Sequence, residues 1–128
     1  MHALHHLSFA TNDLPRAAAF YDAALGALGY RQVCASGGFV GYGTEDNCDK
    51  FALKRQKAPI CVPRAGFHLA FAAPNRKAVD AFYEAAMKQG GKNNGGCGLH
   101  KEYGPNYYAA FVFDPDGYRI EAVINGPE

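Results

Sequence analysis

His6-Leu-Ser-Phe-Ala10 and Phe20-Tyr-Asp-Ala-Ala24 return 62 positions later as His68-Leu-Ala-Phe-Ala72 and Phe82-Tyr-Glu-Ala-Ala86. Over residues 6–29 and 68–91, ten of 24 aligned positions are identical: His6, Leu7, Phe9, Ala10, Ala19, Phe20, Tyr21, Ala23, Ala24 and Gly29 meet the same residue types. Self-similarity at this spacing marks two copies of one supersecondary unit. Each copy opens on histidine, which gives two imidazoles equivalent places in the two halves.

Outward from the repeat, residues 4–11 alternate with the two-residue period of a strand. Asn12 or Asp13 then caps a helix that tolerates Pro15 in its first turn and stops at Gly26 or Gly29. Strand-like segments follow at 30–35, 38–43 and 50–55, and Ala58–Ala65, with Pro59 and Pro63, reads as a linker. The second copy repeats the order: a strand over 66–73, a helix capped near Asn75 and ending about Gln89, and strands at 107–113 and 119–124. Between them, the glycine-rich residues 90–98 read as a mobile loop, and Asp114-Pro-Asp-Gly117 as a turn. The expected fold class is α+β: two βαβββ modules, about 1–57 and 66–128, within a single domain of 128 residues.

The alternation also assigns faces. Leu7 and Phe9, like Leu69 and Phe71, are bulky and pack under the helices. His6 with Ser8 and Ala10, and His68 with Ala70 and Ala72, then share the other face among small side chains that leave room for a cavity. His5 is the rival to His6, since a one-residue slip exchanges their faces. In the last strand Ile120, Ala122 and Ile124 point to the helices, and Arg119, Glu121 and Val123 to the cavity. His6, His68 and Glu121 from three strands make the two-histidine, one-carboxylate set that holds a divalent transition metal with open positions.

Bulk composition narrows the partners. Thirteen basic and 12 acidic side chains leave no field that recruits nucleic acid or an anionic membrane. Lys50, Lys54, Arg55, Lys57, Arg64, Arg76 and Lys77 do outnumber Asp49 between residues 47 and 79. They read either as a solvated surface or as a landing zone for a carboxylate or phosphate. Cys34, Cys48, Cys61 and Cys97 show neither CxxC pairs nor zinc-finger spacing. With no leader-like or membrane-length apolar run, the reading is a reduced, cytoplasmic, soluble protein.

His6-Leu-Ser-Phe-Ala-Thr-Asn-Asp-Leu-Pro-Arg16, its copy from His68 to Tyr83, and Asn106-Tyr-Tyr-Ala-Ala-Phe-Val112 with Asp114-Pro-Asp-Gly-Tyr-Arg-Ile-Glu121 resemble the vicinal oxygen chelate superfamily. That superfamily groups glyoxalase I, bleomycin-resistance proteins, fosfomycin-modifying thiol transferases and extradiol dioxygenases. The resemblance implies a cupped mixed sheet around a metal-binding groove, a homodimer, and a divalent ion (Fe, Mn, Ni, Zn or Co) that holds two neighbouring oxygens of a small-molecule substrate. It places the ligands on His6, His68 and Glu121. Glyoxalase I-like enzymes add a Glu or Gln from the first module's last strand; Leu53 stands about there, so the three-ligand remainder is closer to the dioxygenases. Tyr103 and His100 are the catalytic candidates for moving a proton, and Tyr107, Tyr42 and Arg119 are the candidates for lining the substrate site. The implied function is a metal-dependent lyase or dioxygenase; the alternative is a metal-free protein that sequesters a small molecule, as bleomycin-resistance proteins do.

Overall fold

The computed structural model describes residues 3–127. The first module runs β1 (Leu7–Thr11), α1 (Leu14–Gly26), β2 (Arg31–Ser36), β3 (Phe39–Gly43) and β4 (Phe51–Arg55); the second runs β5 (Leu69–Ala72), α2 (Arg76–Lys88), β6 (Lys92–Leu99), β7 (Tyr107–Phe113) and β8 (Arg119–Asn125). Each module contributes a four-stranded mixed sheet, ordered β1-β4-β3-β2 and β5-β8-β7-β6. β1 is parallel to β4 and β5 to β8, with antiparallel pairing elsewhere. Both histidine-led strands therefore lie at a sheet edge.

Local chemistry explains the helices. The Asp13 carboxylate accepts from the Arg16 backbone N–H at 3.1 Å, and the Asn75 side chain accepts from that of Ala78 at 2.8 Å. Each cap satisfies a donor that the first helical turn leaves free. Leu14, Ala17, Phe20, Tyr21, Ala24 and Leu25 bury one stripe of α1; Ala78, Val79, Phe82 and Ala86 bury one of α2. These stripes meet Phe9, Val40, Tyr42, Phe51, Leu53, Val112 and Ile120 in one apolar cluster that joins both modules.

The Asp114–Gly117 turn ties the modules together. Asp114 is buried; its Oδ1 accepts from the backbone N–H groups of Asp116 (2.9 Å) and Tyr118 (3.0 Å), and its Oδ2 from the Tyr21 hydroxyl (2.6 Å). Gly117 has φ 96°, the left-handed geometry that closes the turn. Tyr118 stacks on Phe9 at 4.1 Å and donates to the Ala10 carbonyl at 2.7 Å. A turn of the second module is thus fastened to α1 and β1 of the first.

One expected loop is a strand. Residues 92–99 form edge strand β6 despite three glycines, because the strongly strand-forming β7 templates the pairing. The register shifts between Asn93 and Gly96, where the Asn93 side chain accepts from the backbone N–H groups of Gly95 (3.1 Å) and Gly96 (2.6 Å). Glycine suits this irregularity: Gly95 and Gly96 have φ 135° and 81°.

Candidate metal centre

Along β8, Ile120 and Ala122 enter the core and Glu121 between them points to the opposite face. Register sets Glu121 beside Ala70 on β5 and Phe111 on β7. Its side chain is 0% exposed, an unusual position for a carboxylate. His68, immediately before β5, brings Nε2 to 2.8 Å from Glu121 Oε1 while half of its own side chain stays exposed. The approach lacks hydrogen-bond alignment, so Oε1 is a buried oxygen without a donor. Glu121 Oε2 accepts from the Tyr107 hydroxyl at 2.5 Å.

The buried Glu121 carboxylate oxygen and the His68 imidazole nitrogen converge on one space. That donor set suits a divalent transition ion. Tyr107 stays a proton donor here: burial first, then the hydrogen bond to Glu121 and its charge, push its phenol up to about 12.

Aromatic rings extend the same face. His100 meets Phe111 edge-on at 4.9 Å, Tyr103 lies 5.3 Å from Tyr107 and 6.2 Å from Phe111, and His68 lies 6.4 Å from Phe111. The His100 side chain is 14% exposed, with Nδ1 3.9 Å from the Glu102 carboxylate. Tyr103, 61% exposed, stands at the rim. Arg119 shares the alternation of Glu121, but its guanidinium donates to the Pro63 carbonyl at 3.2 Å and lies over Phe113 at 5.2 Å.

Two sequence-derived candidates lie elsewhere. His6 is exposed at the start of β1, with Nδ1 2.8 Å from Nδ1 of His5. Among the described residues, no group of three or more His, Cys, Asp and Glu side chains is placed to hold a metal ion. The chain thus brings His68 and Glu121 together within one sheet, and His6 sits on the edge of the other. Tyr42 is buried on the α1 side of β3 and donates to Asp22 Oδ1 at 2.8 Å, so it is not part of the face that carries Glu121. It does border a separate cavity of about 210 Å³ between the chain start and β5, beside His5, His6, Lys50, Phe51 and Phe71.

Register also revises the missing fourth ligand. Ser8 pairs with Ala52 as its repeat mate Ala70 pairs with Glu121, so Ala52 is the first-module counterpart of Glu121. Leu53, one place on, is 1% exposed in the core. Likewise Gly41, opposite Ala52, is the counterpart of Phe111. The repeat therefore keeps its histidines and confines the carboxylate and the aromatic wall to the second module. Lys50, Lys54, Arg55, Lys57, Arg64 and Lys77 are exposed.

Residues 3–122 match the sequence profile of the Glyoxalase/Bleomycin resistance protein/Dioxygenase superfamily. Comparison with curated proteins finds no match. Among solved structures, a glyoxalase/bleomycin resistance protein from Albidiferax ferrireducens is 28% identical, with a TM-score of 0.83 over 98% of this chain and 100% of that one. A putative glyoxalase from Bacillus halodurans is 27% identical, with a TM-score of 0.69 over 94% of each chain. The fosfomycin resistance protein FosX from Mesorhizobium loti, 17% identical with a TM-score of 0.69 over 98% of this chain and 94% of that one, shares the fold. With a profile match over nearly its whole length, the chain belongs to the glyoxalase/bleomycin resistance protein/dioxygenase superfamily.

Proposed function

We propose that this protein is a metal-dependent enzyme that acts on a small oxygenated metabolite through two neighbouring oxygens, with lyase or dioxygenase chemistry. The observation that carries the reading is Glu121 Oε1, buried without a donor and 2.8 Å from His68 Nε2. A buried carboxylate oxygen left so costs stability in the absence of a cation, which is how sites kept for function behave. His68 and Glu121 would hold a divalent ion; because His6 lies at the edge of the other sheet, it would complete the set only across a homodimer, from a second copy of the chain. Bound there, the ion would supply a Lewis acid and a template for adjacent substrate oxygens.

The chain's own residues then do the rest. Phe111 lines one wall, Tyr103 stands at its rim as a second group to move a proton, and the Tyr107 phenol keeps its proton. His100 is the imidazole placed on that wall to accept a substrate proton, directly or through one water. Four free cysteines accord with a reducing, cytoplasmic setting. A second reading, a metal-free protein that sequesters a small molecule, is favoured by the aromatic wall and by the separation of His6 from Glu121.

Elemental analysis of untagged protein separates the two. The enzyme reading expects about one Fe, Mn, Ni, Zn or Co per chain after incubation with the metal, and loss of it in His68→Ala. Substoichiometric metal in the wild type with all five ions would leave the sequestering reading.

A further inference from the structure

The face that carries Glu121 spends a tyrosine on one carboxylate oxygen and leaves the other bare. Glu121 Oε2 takes the Tyr107 hydroxyl at 2.5 Å, and Oε1 beside His68 takes none. Tyr107 sits on backbone that is tied at both of its polar groups. Its backbone N–H donates to the Gly104 carbonyl at 3.3 Å, its carbonyl accepts from the His100 N–H at 2.8 Å, and its ring lies against Tyr103.

We infer that Tyr107 is a positioning residue that restricts Glu121 to offering a single oxygen to the metal. The inference rests on the metal-dependent reading above. A free carboxylate can bind a cation through both oxygens, which takes up two coordination positions. With Oε2 held by the phenol, Glu121 takes up one. With two imidazoles and one carboxylate oxygen, a six-coordinate ion would keep three positions for other ligands. Two of those suit a chelating pair of substrate oxygens, and the third stays available. Tyr107 would act through Glu121, whose Oε2 it holds, as outer residues orient metal ligands generally. Tyr108 offers a matched control. It points to the other face of β7 and gives its hydroxyl to Asp80 at 2.6 Å, so Tyr108→Phe also removes a carboxylate-bound phenol but leaves Glu121 untouched.

The test uses full-length protein and Mn(II) alone as probe. Water-proton relaxation per bound Mn(II) reports exchangeable coordination positions, which a merely structural tyrosine would not change. Tyr107→Phe should lower it by about a third, as three open positions become two, with Mn(II) bound at least as tightly; Tyr108→Phe should leave it unchanged. Unchanged relaxation in Tyr107→Phe, or an equal drop in Tyr108→Phe, overturns the inference while the metal reading stands. A wild type that takes up no Mn(II), Fe, Ni, Zn or Co overturns both. A metal-free cycle of Tyr107→Phe, Glu121→Leu (which leaves no acceptor) and the double variant checks the contact itself: non-additive melting shifts are expected, and additive shifts refute the restraint.

Discussion

Replacing Glu121 with Gln in the metal-free protein should raise stability, although it abolishes the proposed metal site. Glu121 is fully buried, and its Oε1 has given up water without gaining a donor. Leaving a buried polar atom in that state costs roughly 1–3 kcal/mol. The isosteric Gln removes the buried charge and puts an amide donor 2.8 Å from His68 Nε2, while its carbonyl still accepts from Tyr107. The expected gain is the same 1–3 kcal/mol, or about 3–10 °C in Tm for a domain of this size. Metal should invert the order. At a free concentration of about 100 Kd, the wild type gains about 2.7 kcal/mol and the Gln variant almost nothing. Thermal melts at pH 8, where imidazoles are ordinarily neutral, with EDTA and then with Mn(II) or Zn(II), read both effects. A Gln variant that melts below the wild type in EDTA would refute the argument that Oε1 is an uncompensated buried oxygen.

Tyr21→Phe deletes a fully buried hydroxyl that donates to Asp114 Oδ2. The cost should be about 1.5–3 kcal/mol, as for hydrogen bonds to charged groups, and a chemical-denaturation midpoint equal to that of the wild type would show that the turn is held otherwise. Gly91→Ala would place a Cβ 2.7 Å from the Ala86 carbonyl oxygen, 2.9 Å from the Phe20 ring and 3.0 Å from the Phe113 carbonyl oxygen. Backbone cannot yield cheaply, so a loss of about 1–3 kcal/mol is expected in the same assay; a wild-type midpoint would contradict the close approach. Alkali should destabilise the fold. Tyr107 and Tyr108 are raised from 10.0 to about 12, and the unfolded chain gives up these protons first. Their contribution is therefore complete below about pH 10 and is lost as pH rises toward 12. Urea midpoints that stay flat from pH 9 to 12 would contradict this.

The modular fold was legible because the repeat carries its own register. A shift of 62 residues aligns α1 with α2 end for end, Leu14–Gly26 with Arg76–Lys88, and two-residue alternation correctly sent Phe9, Ile120 and Ala122 to the core and Glu121 to the other face. What local periodicity lacks is information about partners. β6 was hidden because its glycines have little strand preference of their own; the ladder with β7 makes the strand. Tyr42 was misleading for a related reason. Val40 and Tyr42 alternate with Gly41 and Gly43 and turn toward α1, while Phe39 shares the face of the glycines, so each face of β3 carries a bulky residue and the pattern does not reveal which is the groove. The separation of His6 from His68 depends on how the two sheets pack through their helices, which no strand pattern encodes. The Tyr107–Glu121 contact, by contrast, could have been found by laying β7 against β8 in antiparallel register: Phe111 falls opposite Glu121, and Tyr107 lies four residues away on the same face.

Metal binding by complementary variants decides whether His6, His68 and Glu121 share one centre. His6→Ala and His68→Ala chains, each unable to fill a site alone, are unfolded together, refolded, and assayed for bound metal. If His6 acts across the dimer, each mixed dimer regains one complete site, built from His6 of one chain with His68 and Glu121 of the other. Random pairing then predicts about one metal per four chains. If the mixture holds no more metal than either variant by itself, the three residues do not form one shared centre.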